Sequence, residues 1–168
     1  KVYTKSDVLN CPELFKDTEY IFSTWGMPVF SEEEIKEHFV SLKAVFYGAG
    51  TVQFFARPFL NLGIKVFSAW AANAVPVAEY TCAQIILANK GFYRLSRELK
   101  EKDYSTVKAS VKDFPGNYES ALGIIGAGMI GRKVIEMLKN INISIYVFDP
   151  FLPDDTAKEL NVTKTSLE

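Results

Sequence analysis

One glycine-rich stretch constrains the fold of this chain more than any other part of its sequence. Its three glycines, Gly126, Gly128 and Gly131, have the spacing G-x-G-x-x-G. An apolar run over residues 121–125 comes directly before them and predicts a short buried strand. Apolar side chains then recur on one helical face, and Asn140 is expected to stop that helix. The face consists of Ile130, Val134, Met137 and Leu138.

A second predicted strand, over residues 143–148, ends in an acidic residue. The run is rich in β-branched and aromatic residues, and Asp149 follows it, 18 positions after Gly131. In dinucleotide-binding units, the acidic residue that binds the ribose lies roughly 20 positions after the glycine turn. Strand, glycine turn, helix, strand and acid in this order predict a Rossmann-type dinucleotide site. The alternative that stays open is a glycine-rich turn in an α/β protein that binds no nucleotide.

Each residue type in this pattern has a physical reason to be there. The first glycine allows the tight turn, the second lets a pyrophosphate approach the backbone, and the third lets the helix pack closely on the strand. The phosphates would lie on free N–H groups at the positive end of the helix, where Met129 and Ile130 stand. The carboxylate of Asp149 would accept hydrogen bonds from the ribose and repel a 2′-phosphate. These features favour NAD over NADP as the cofactor.

Upstream, three short apolar runs predict a separate α/β unit. They lie at residues 20–23, 43–47 and 64–68. Ser31 and Glu34 form a capping box that opens a helix, and a second helical segment is expected between the last two runs. Strands that alternate with helices in this way predict a parallel sheet.

The segment between the two units has its own pattern. Asn73 could cap a helix, and Pro76 suits a first helical turn. Residues 82–88 are apolar almost all round, which predicts a helix buried between two domains. Residues 103–120 are polar and contain Pro115 and Gly116, so they are expected to form an exposed arm or linker.

Composition narrows the classes of function. Apolar residues make up 48% of the 168 residues and charged residues 23%, which is typical of a globular protein. The formal net charge of −1 gives no electrostatic reason to expect a nucleic acid or a membrane as partner. Cys11 and Cys82 are too few for a disulfide framework and lack metal-ligand spacing, so no metal is expected. A cytoplasmic location is the default expectation.

Three segments together resemble the D-isomer-specific 2-hydroxyacid dehydrogenase family. They are Tyr-Gly-Ala-Gly-Thr at residues 47–51, the pattern N-x-x-x-V-A-E-x-T at residues 73–81, and the glycine turn with its acid. The resemblance implies a flavodoxin-like substrate domain over residues 1–72, with its N-terminal part missing. An interdomain helix, an arm and the first half of a Rossmann NAD-binding domain would then fill residues 73–168. The chain would end in the segment that leads to the third Rossmann strand.

The resemblance also implies roles for single residues. Ala49 and Gly50 match the loop whose backbone N–H groups hold the substrate carboxylate, and small residues beside a strand end do expose amides to an anion. Asn73 matches a residue that faces the substrate side of the cleft in some members of the family, and Thr81 matches one that contacts the nicotinamide end of NAD. The respective alternatives are an ordinary turn, a helix cap and a helix hydroxyl.

The activity implied is that of an NAD-dependent oxidoreductase. It would transfer a hydride between the nicotinamide and C2 of a small D-2-hydroxy acid or 2-oxo acid. The family's catalytic Arg, Glu and His would lie beyond Glu168, so no catalytic residue is expected in this chain, and the 168 residues alone are expected to be inactive. His38 stands among glutamates and is expected to be a solvated helix residue.

Two further expectations concern partners. In the family, the interdomain helix and the arm pack in a two-fold dimer, which here implies a homodimer through about residues 77–118. The alternative function on the same fold is that of an NAD-binding, corepressor-like protein that binds a partner.

Overall fold

The structure is a computed structural model that describes residues 2–167. The chain divides into two compact units, of which the first ends at Asn73 and the second begins at Ala74. Each unit contains a three-stranded parallel sheet, which confirms the predicted α/β class. Within residues 2–167, no helix combines the length and the apolar character that crossing a membrane requires.

The sheet of the first unit has the strand order β1-β2-β3. Its register aligns Ile21 with Val45 and Val45 with Val66. The strands are β1 (Tyr20–Ser23), β2 (Ala44–Tyr47) and β3 (Lys65–Ser68), and the helices are α1 (Lys5–Asn10), α2 (Glu32–His38) and α3 (Ala56–Asn61), with a 3-10 turn at Pro12–Leu14.

The core of the first unit lies on one face of this sheet. Val45, Phe55 and Phe59 are completely buried there, and Ile35 of α2 packs with them. The strand order runs in one direction, and parallel crossovers are right-handed as a rule, so α2 and α3 are expected on the same side. Ile35 of α2 and Phe59 of α3 do share one core cluster. The predicted capping box of α2 is confirmed, since Ser31 Oγ accepts a hydrogen bond from the Glu34 N–H and the Glu34 carboxylate accepts one from the Ser31 N–H.

The opposite face of the first sheet carries a row of stacked aromatic rings. Phe22 and Phe46 stack with ring centroids 5.1 Å apart, and Phe46 and Phe67 with centroids 5.0 Å apart. The rings of both pairs are nearly parallel, with interplanar angles of 12° and 11°. The first unit therefore has aromatic rings on both faces of its sheet, of which Phe22 and Phe67 are exposed.

His38 is buried, so the prediction of a solvated helix residue is wrong. Only 5% of the residue is exposed, and its Nδ1 has no hydrogen-bond partner among residues 2–167. Its Nε2 lies 4.0 Å from the Glu37 carboxylate. The physical reason is helical spacing: His38 stands three residues after Ile35, on the face that points into the core. The surrounding glutamates concealed that position in the sequence.

The sheet of the second unit has the strand order β4-β5-β6. Its strands are β4 (Ser120–Ile125), β5 (Ile143–Phe148) and β6 (Thr163–Lys164); the other elements are α5 (Phe92–Glu98), α6 (Tyr104–Ser110), a 3-10 turn at Val111–Asp113, α7 (Met129–Leu138) and α8 (Asp154–Glu159). The expectation that the chain ends before a third strand is wrong, because β6 pairs in parallel with Tyr146 and Val147 of β5. With two residues, β6 is too short to give a strand pattern in the sequence.

The connecting segment differs from its prediction in three ways. Helix α4 (Trp70–Asn89) begins three residues earlier than expected, so Asn73 is not its cap and Pro76 lies inside it. The helix is not buried on all sides over residues 82–88, since Cys82 is buried but Ala83 is exposed. The expected arm contains α6, because Asp103 caps it by accepting a hydrogen bond of 3.0 Å from the Thr106 N–H.

Candidate functional site

The glycine turn between β4 and α7 is built on backbone requirements that only glycine meets. Gly126 has φ of +92°, and its N–H donates to the Phe148 carbonyl of β5 over 2.8 Å. A Cβ on Gly131 would lie 2.1 Å from the Gly126 carbonyl oxygen. The helix therefore starts in direct contact with the end of the strand, as the sequence pattern predicts.

A set of free backbone donors opens at this helix start. The N–H groups of Gly128, Met129 and Ile130 donate to no acceptor among residues 2–167. They stand at the positive end of a ten-residue helix, where an anion is stabilised. Among residues 2–167, no atom beyond the neighbouring residues lies within 4 Å of a Cβ built on Gly128, so a phosphate group can reach these donors. The predicted residues Gly126, Gly128, Met129, Ile130 and Gly131 thus form one turn with the geometry of an anion site.

Asp149 reaches across to the same turn. Its carboxylate accepts a hydrogen bond of 2.7 Å from the Ala127 N–H and one of 2.8 Å from the Phe151 N–H. These two hydrogen bonds hold the pKa of Asp149 below its ordinary value, and the bond from Ala127 has the larger effect. The charge of Arg132 lowers the pKa further. The group is therefore ionised at neutral pH. A carboxylate has about four lone-pair sites, so two donors leave capacity for hydroxyl groups of a ligand.

Arg132 belongs to the site, although the glycine pattern in the sequence does not single it out. Its Nε donates to the Ala127 carbonyl over 2.7 Å, while Asp149 holds the Ala127 N–H. The backbone of Ala127 is thus fixed at both of its polar groups by two opposite charges. Fixing Ala127 orients the next peptide N–H, that of Gly128, away from Arg132. In the sequence, the role of Arg132 is indicated only by the position of a basic residue directly after the third glycine.

The other predicted cofactor residue, Thr81, lies on α4. Its hydroxyl donates to the Val77 carbonyl of the same helix over 2.7 Å. Helix α4 packs on α7 in this region: the Cys82 Sγ lies 3.8 Å from the Val134 carbonyl oxygen. Burial raises the pKa of the Cys82 thiol, which suits a residue that packs rather than reacts. Contact of Thr81 with a nicotinamide stays a prediction.

In the first unit, the residues expected to bind the substrate lie close together. Ala49 and Gly50 follow β2, and their N–H groups donate to no acceptor in the described part of the chain. A Cβ on Gly50 would lie 3.5 Å from the Asn73 side-chain nitrogen. Ala49, Gly50 and Asn73 therefore form one polar corner at the carboxyl end of the sheet, and their roles toward a substrate stay predictions.

A groove of about 310 Å³ lies beside this corner. It extends from Gly48 and Ser68 at the strand ends over the aromatic row of Phe22, Phe46 and Phe67. The groove could not be predicted from the sequence, because stacking of these rings depends on the strand register.

Comparison with known proteins supports the reading of the second unit. Residues 82–168, just over half of the chain, match the family model described as D-isomer specific 2-hydroxyacid dehydrogenase, NAD binding domain. The resemblance stated from the sequence is confirmed by this match, and so is NAD as the predicted cofactor.

Two curated relatives illustrate the similarity. The D-3-phosphoglycerate dehydrogenase of Bacillus subtilis is 26% identical over 106 residues, which are 63% of this chain and 20% of that protein. The formate dehydrogenase of Neurospora crassa is 26% identical over 150 residues, which are 88% of this chain and 40% of that protein. Both are named as dehydrogenases and give no support to the corepressor-like alternative.

Solved structures share the fold. The holo form of D-mandelate dehydrogenase from Rhodotorula graminis matches with a TM-score of 0.80 and 14% identity, over 98% of this chain and 52% of that one. The NAD-dependent formate dehydrogenase from Staphylococcus aureus, in complex with NAD, matches with a TM-score of 0.66 and 21% identity, over 94% and 47%. The matched residues thus cover about half of these structures and about a fifth of the curated phosphoglycerate dehydrogenases.

Proposed function

The chain belongs to the D-isomer specific 2-hydroxyacid dehydrogenase family, and on that premise we propose that it serves an NAD-dependent oxidoreductase. The reaction is hydride transfer between the nicotinamide and C2 of a small D-2-hydroxy acid or 2-oxo acid. The observation that carries the proposal is the array of unpaired N–H groups at Gly128, Met129 and Ile130, with an ionised Asp149 beside it.

The residues of the second unit fit a dinucleotide by their chemistry. The unpaired amides bind the pyrophosphate, Asp149 binds the ribose hydroxyls, and Arg132 keeps the turn in place between them. NAD supplies the redox chemistry when it is bound. Because the low pKa of Asp149 keeps a negative charge at the ribose position, a 2′-phosphate is repelled. NADH therefore binds more tightly than NADPH.

The residues of the first unit supply part of the substrate site. The N–H groups of Ala49 and Gly50 bind the carboxylate of the 2-oxo acid, and Asn73 lies beside them as a further polar group. Gly50 is partly exposed, whereas Ala49 is completely buried, so the Ala49 N–H becomes available to the carboxylate only when the loop moves. No general acid is assigned in residues 2–167, since His38 is buried in the core of the first unit. We therefore expect the 168 residues alone to bind NADH without turnover.

Two experiments test this function. Calorimetry of NADH with the 168-residue chain and its D149A variant tests the cofactor site, and tight binding that D149A leaves unchanged would contradict it. NADH oxidation by the whole protein with glyoxylate, pyruvate, hydroxypyruvate and phosphohydroxypyruvate tests the reaction. Failure to oxidise NADH with any 2-oxo acid would refute the proposed activity.

A homodimer through residues 77–118 is part of the proposal. This part of the chain exposes large apolar side chains, which are found at protein interfaces. They include Tyr80, Phe92, Tyr93, Tyr104, Val111 and Tyr118. Light scattering of the whole protein should give the mass of a dimer, and a monomer at micromolar concentration would remove this part without affecting the cofactor site.

A further inference from the structure

A row of three backbone donors follows strand β2. The N–H groups of Ala49, Gly50 and Thr51 make no hydrogen bond with any residue from 2 to 167. Ala49 itself is completely buried, so this loop is held by the protein and is not a loose surface turn. Because these N–H groups have no acceptor among residues 2–167, their direction must be fixed by contacts elsewhere in the loop.

The Ser68 hydroxyl contacts the carbonyl side of the same loop. Ser68 ends β3 and pairs in register with Tyr47 of β2, directly before the loop. Its Oγ lies 3.0 Å from the Ala49 carbonyl oxygen and also within hydrogen-bonding distance of the Gly50 carbonyl. The hydroxyl thus lies between two successive carbonyl groups, which share its one proton as a hydrogen-bond donor.

These contacts fix the amide directions through peptide geometry. In a trans peptide the carbonyl and the following N–H point in opposite directions, and the chain contains no cis peptide among its described residues. Holding the Ala49 carbonyl toward Ser68 directs the Gly50 N–H away from it. Holding the Gly50 carbonyl does the same for the Thr51 N–H. Both donors therefore face one side of the loop, as an anion requires.

We propose that Ser68 is a positioning residue, which orients the backbone amides that bind the substrate carboxylate. The inference rests on the proposed function, because it takes a carboxylate site in the loop of Ala49, Gly50 and Thr51 as given. The amides that Ser68 orients in this loop are those of Gly50 and Thr51. Ser68 acts through the loop and does not itself contact the substrate. Without the Ser68 hydroxyl, the Ala49 and Gly50 carbonyls lose their shared donor. The two peptide groups that carry the Gly50 and Thr51 N–H groups are then free to rotate.

The chain offers a matched control for this proposal. Ser23 ends β1 and stands at the same register position, opposite Tyr47 on its other side. Among residues 2–167, its hydroxyl makes a hydrogen bond only with the Thr24 carbonyl, at 3.4 Å, and none with the loop. S23A therefore removes the same atoms from the same level of the sheet and leaves the loop contacts intact.

The experiment is a titration of the 15N-labelled 168-residue chain with pyruvate, followed by the amide resonances of Ala49, Gly50 and Thr51. We expect these amides to shift in the parent chain. S68A should bind pyruvate about fivefold more weakly, as expected for the loss of one net hydrogen bond. S68T, which keeps the hydroxyl, should restore the affinity, and S23A should not change it. NADH titrated into the same samples should bind all of them equally.

Several outcomes would overturn the inference. Equal pyruvate affinity of S68A and the parent would refute the role of Ser68 and leave the carboxylate site standing. Equal losses in S68A and S23A would assign the effect to the sheet in general. No response of the three amides in the parent would refute the carboxylate site and this inference together, while unchanged NADH binding would leave the cofactor site intact. If S68A does not fold, S68C, which is similar in volume but a weak donor, replaces it with the same expectation.

Discussion

Replacing Gly128 with alanine should separate cofactor binding from folding. Gly128 precedes α7 with φ of −73°, which alanine adopts without strain. A Cβ there would meet no atom of the described, non-neighbouring residues within 4 Å. Alanine is a poorer helix cap than glycine by a few tenths of a kcal/mol to about 1 kcal/mol. We therefore expect the free energy of unfolding of G128A to stay within about 1 kcal/mol of the parent value.

Binding should change far more than stability. The added methyl group would occupy the approach of the diphosphate to the N–H groups of Gly128 and Met129. Each charge-assisted hydrogen bond contributes about 1.5 kcal/mol net, so the loss of two weakens NADH binding by about 3 kcal/mol, or roughly 150-fold. Isothermal titration calorimetry measures the affinity, and urea denaturation measures the stability.

Gly123 in β4 provides the control for this prediction. A Cβ on Gly123 also has open space within 4 Å, as far as residues 2–167 are concerned, but the residue lies in the strand and not at the helix start. G123A should therefore bind NADH like the parent. If G128A also bound NADH within about threefold of the parent, with its stability unchanged, the diphosphate would not lie on these amides.

Three further changes test other parts of the structure. G131A should lower the free energy of unfolding by about 2 kcal/mol, because its Cβ would lie 2.1 Å from the Gly126 carbonyl oxygen; an unchanged urea midpoint would contradict this packing. Backbone hydrogen bonds lower the pKa of Asp149 in the folded state, so its stabilisation is complete above the unfolded pKa of about 4 and is lost as pH falls through the lower folded pKa. The stability difference between the parent and D149N should accordingly shrink below about pH 4, and a constant difference down to acid unfolding would argue against these bonds. H38L removes a buried nitrogen that has no partner in the described chain and should leave stability unchanged or raise it by about 1 kcal/mol, whereas a clear loss in thermal unfolding would reveal a partner for that nitrogen.

The glycine turn and its flanking strands could be predicted because local backbone rules set them. Gly126 needs a positive φ, and Gly131 must avoid the carbonyl of Gly126. Apolar runs predict β4 and β5 within a residue of their observed ends. The acid after β5 is also a local feature, since it directly follows the strand. Such residues reveal their environment without knowledge of the rest of the fold.

Features that depend on distant contacts could not be predicted in the same way. Ser68 meets Ala49 and Gly50 only because β2 and β3 pair in one register. Strand β6 exists through its pairing with β5, and its two residues carry no apolar pattern. The burial of His38 was hidden because the charges around it suggested solvent, while helical spacing placed it toward the core.

The most direct measurement follows the backbone amide resonances of the 15N-labelled chain while NADH is added. If unpaired amides at the helix start hold the diphosphate, the largest saturable shifts will fall on Gly128, Met129 and Ile130, followed by those around Asp149. Shifts that do not saturate, or that are largest within residues 2–73, would contradict the dinucleotide site.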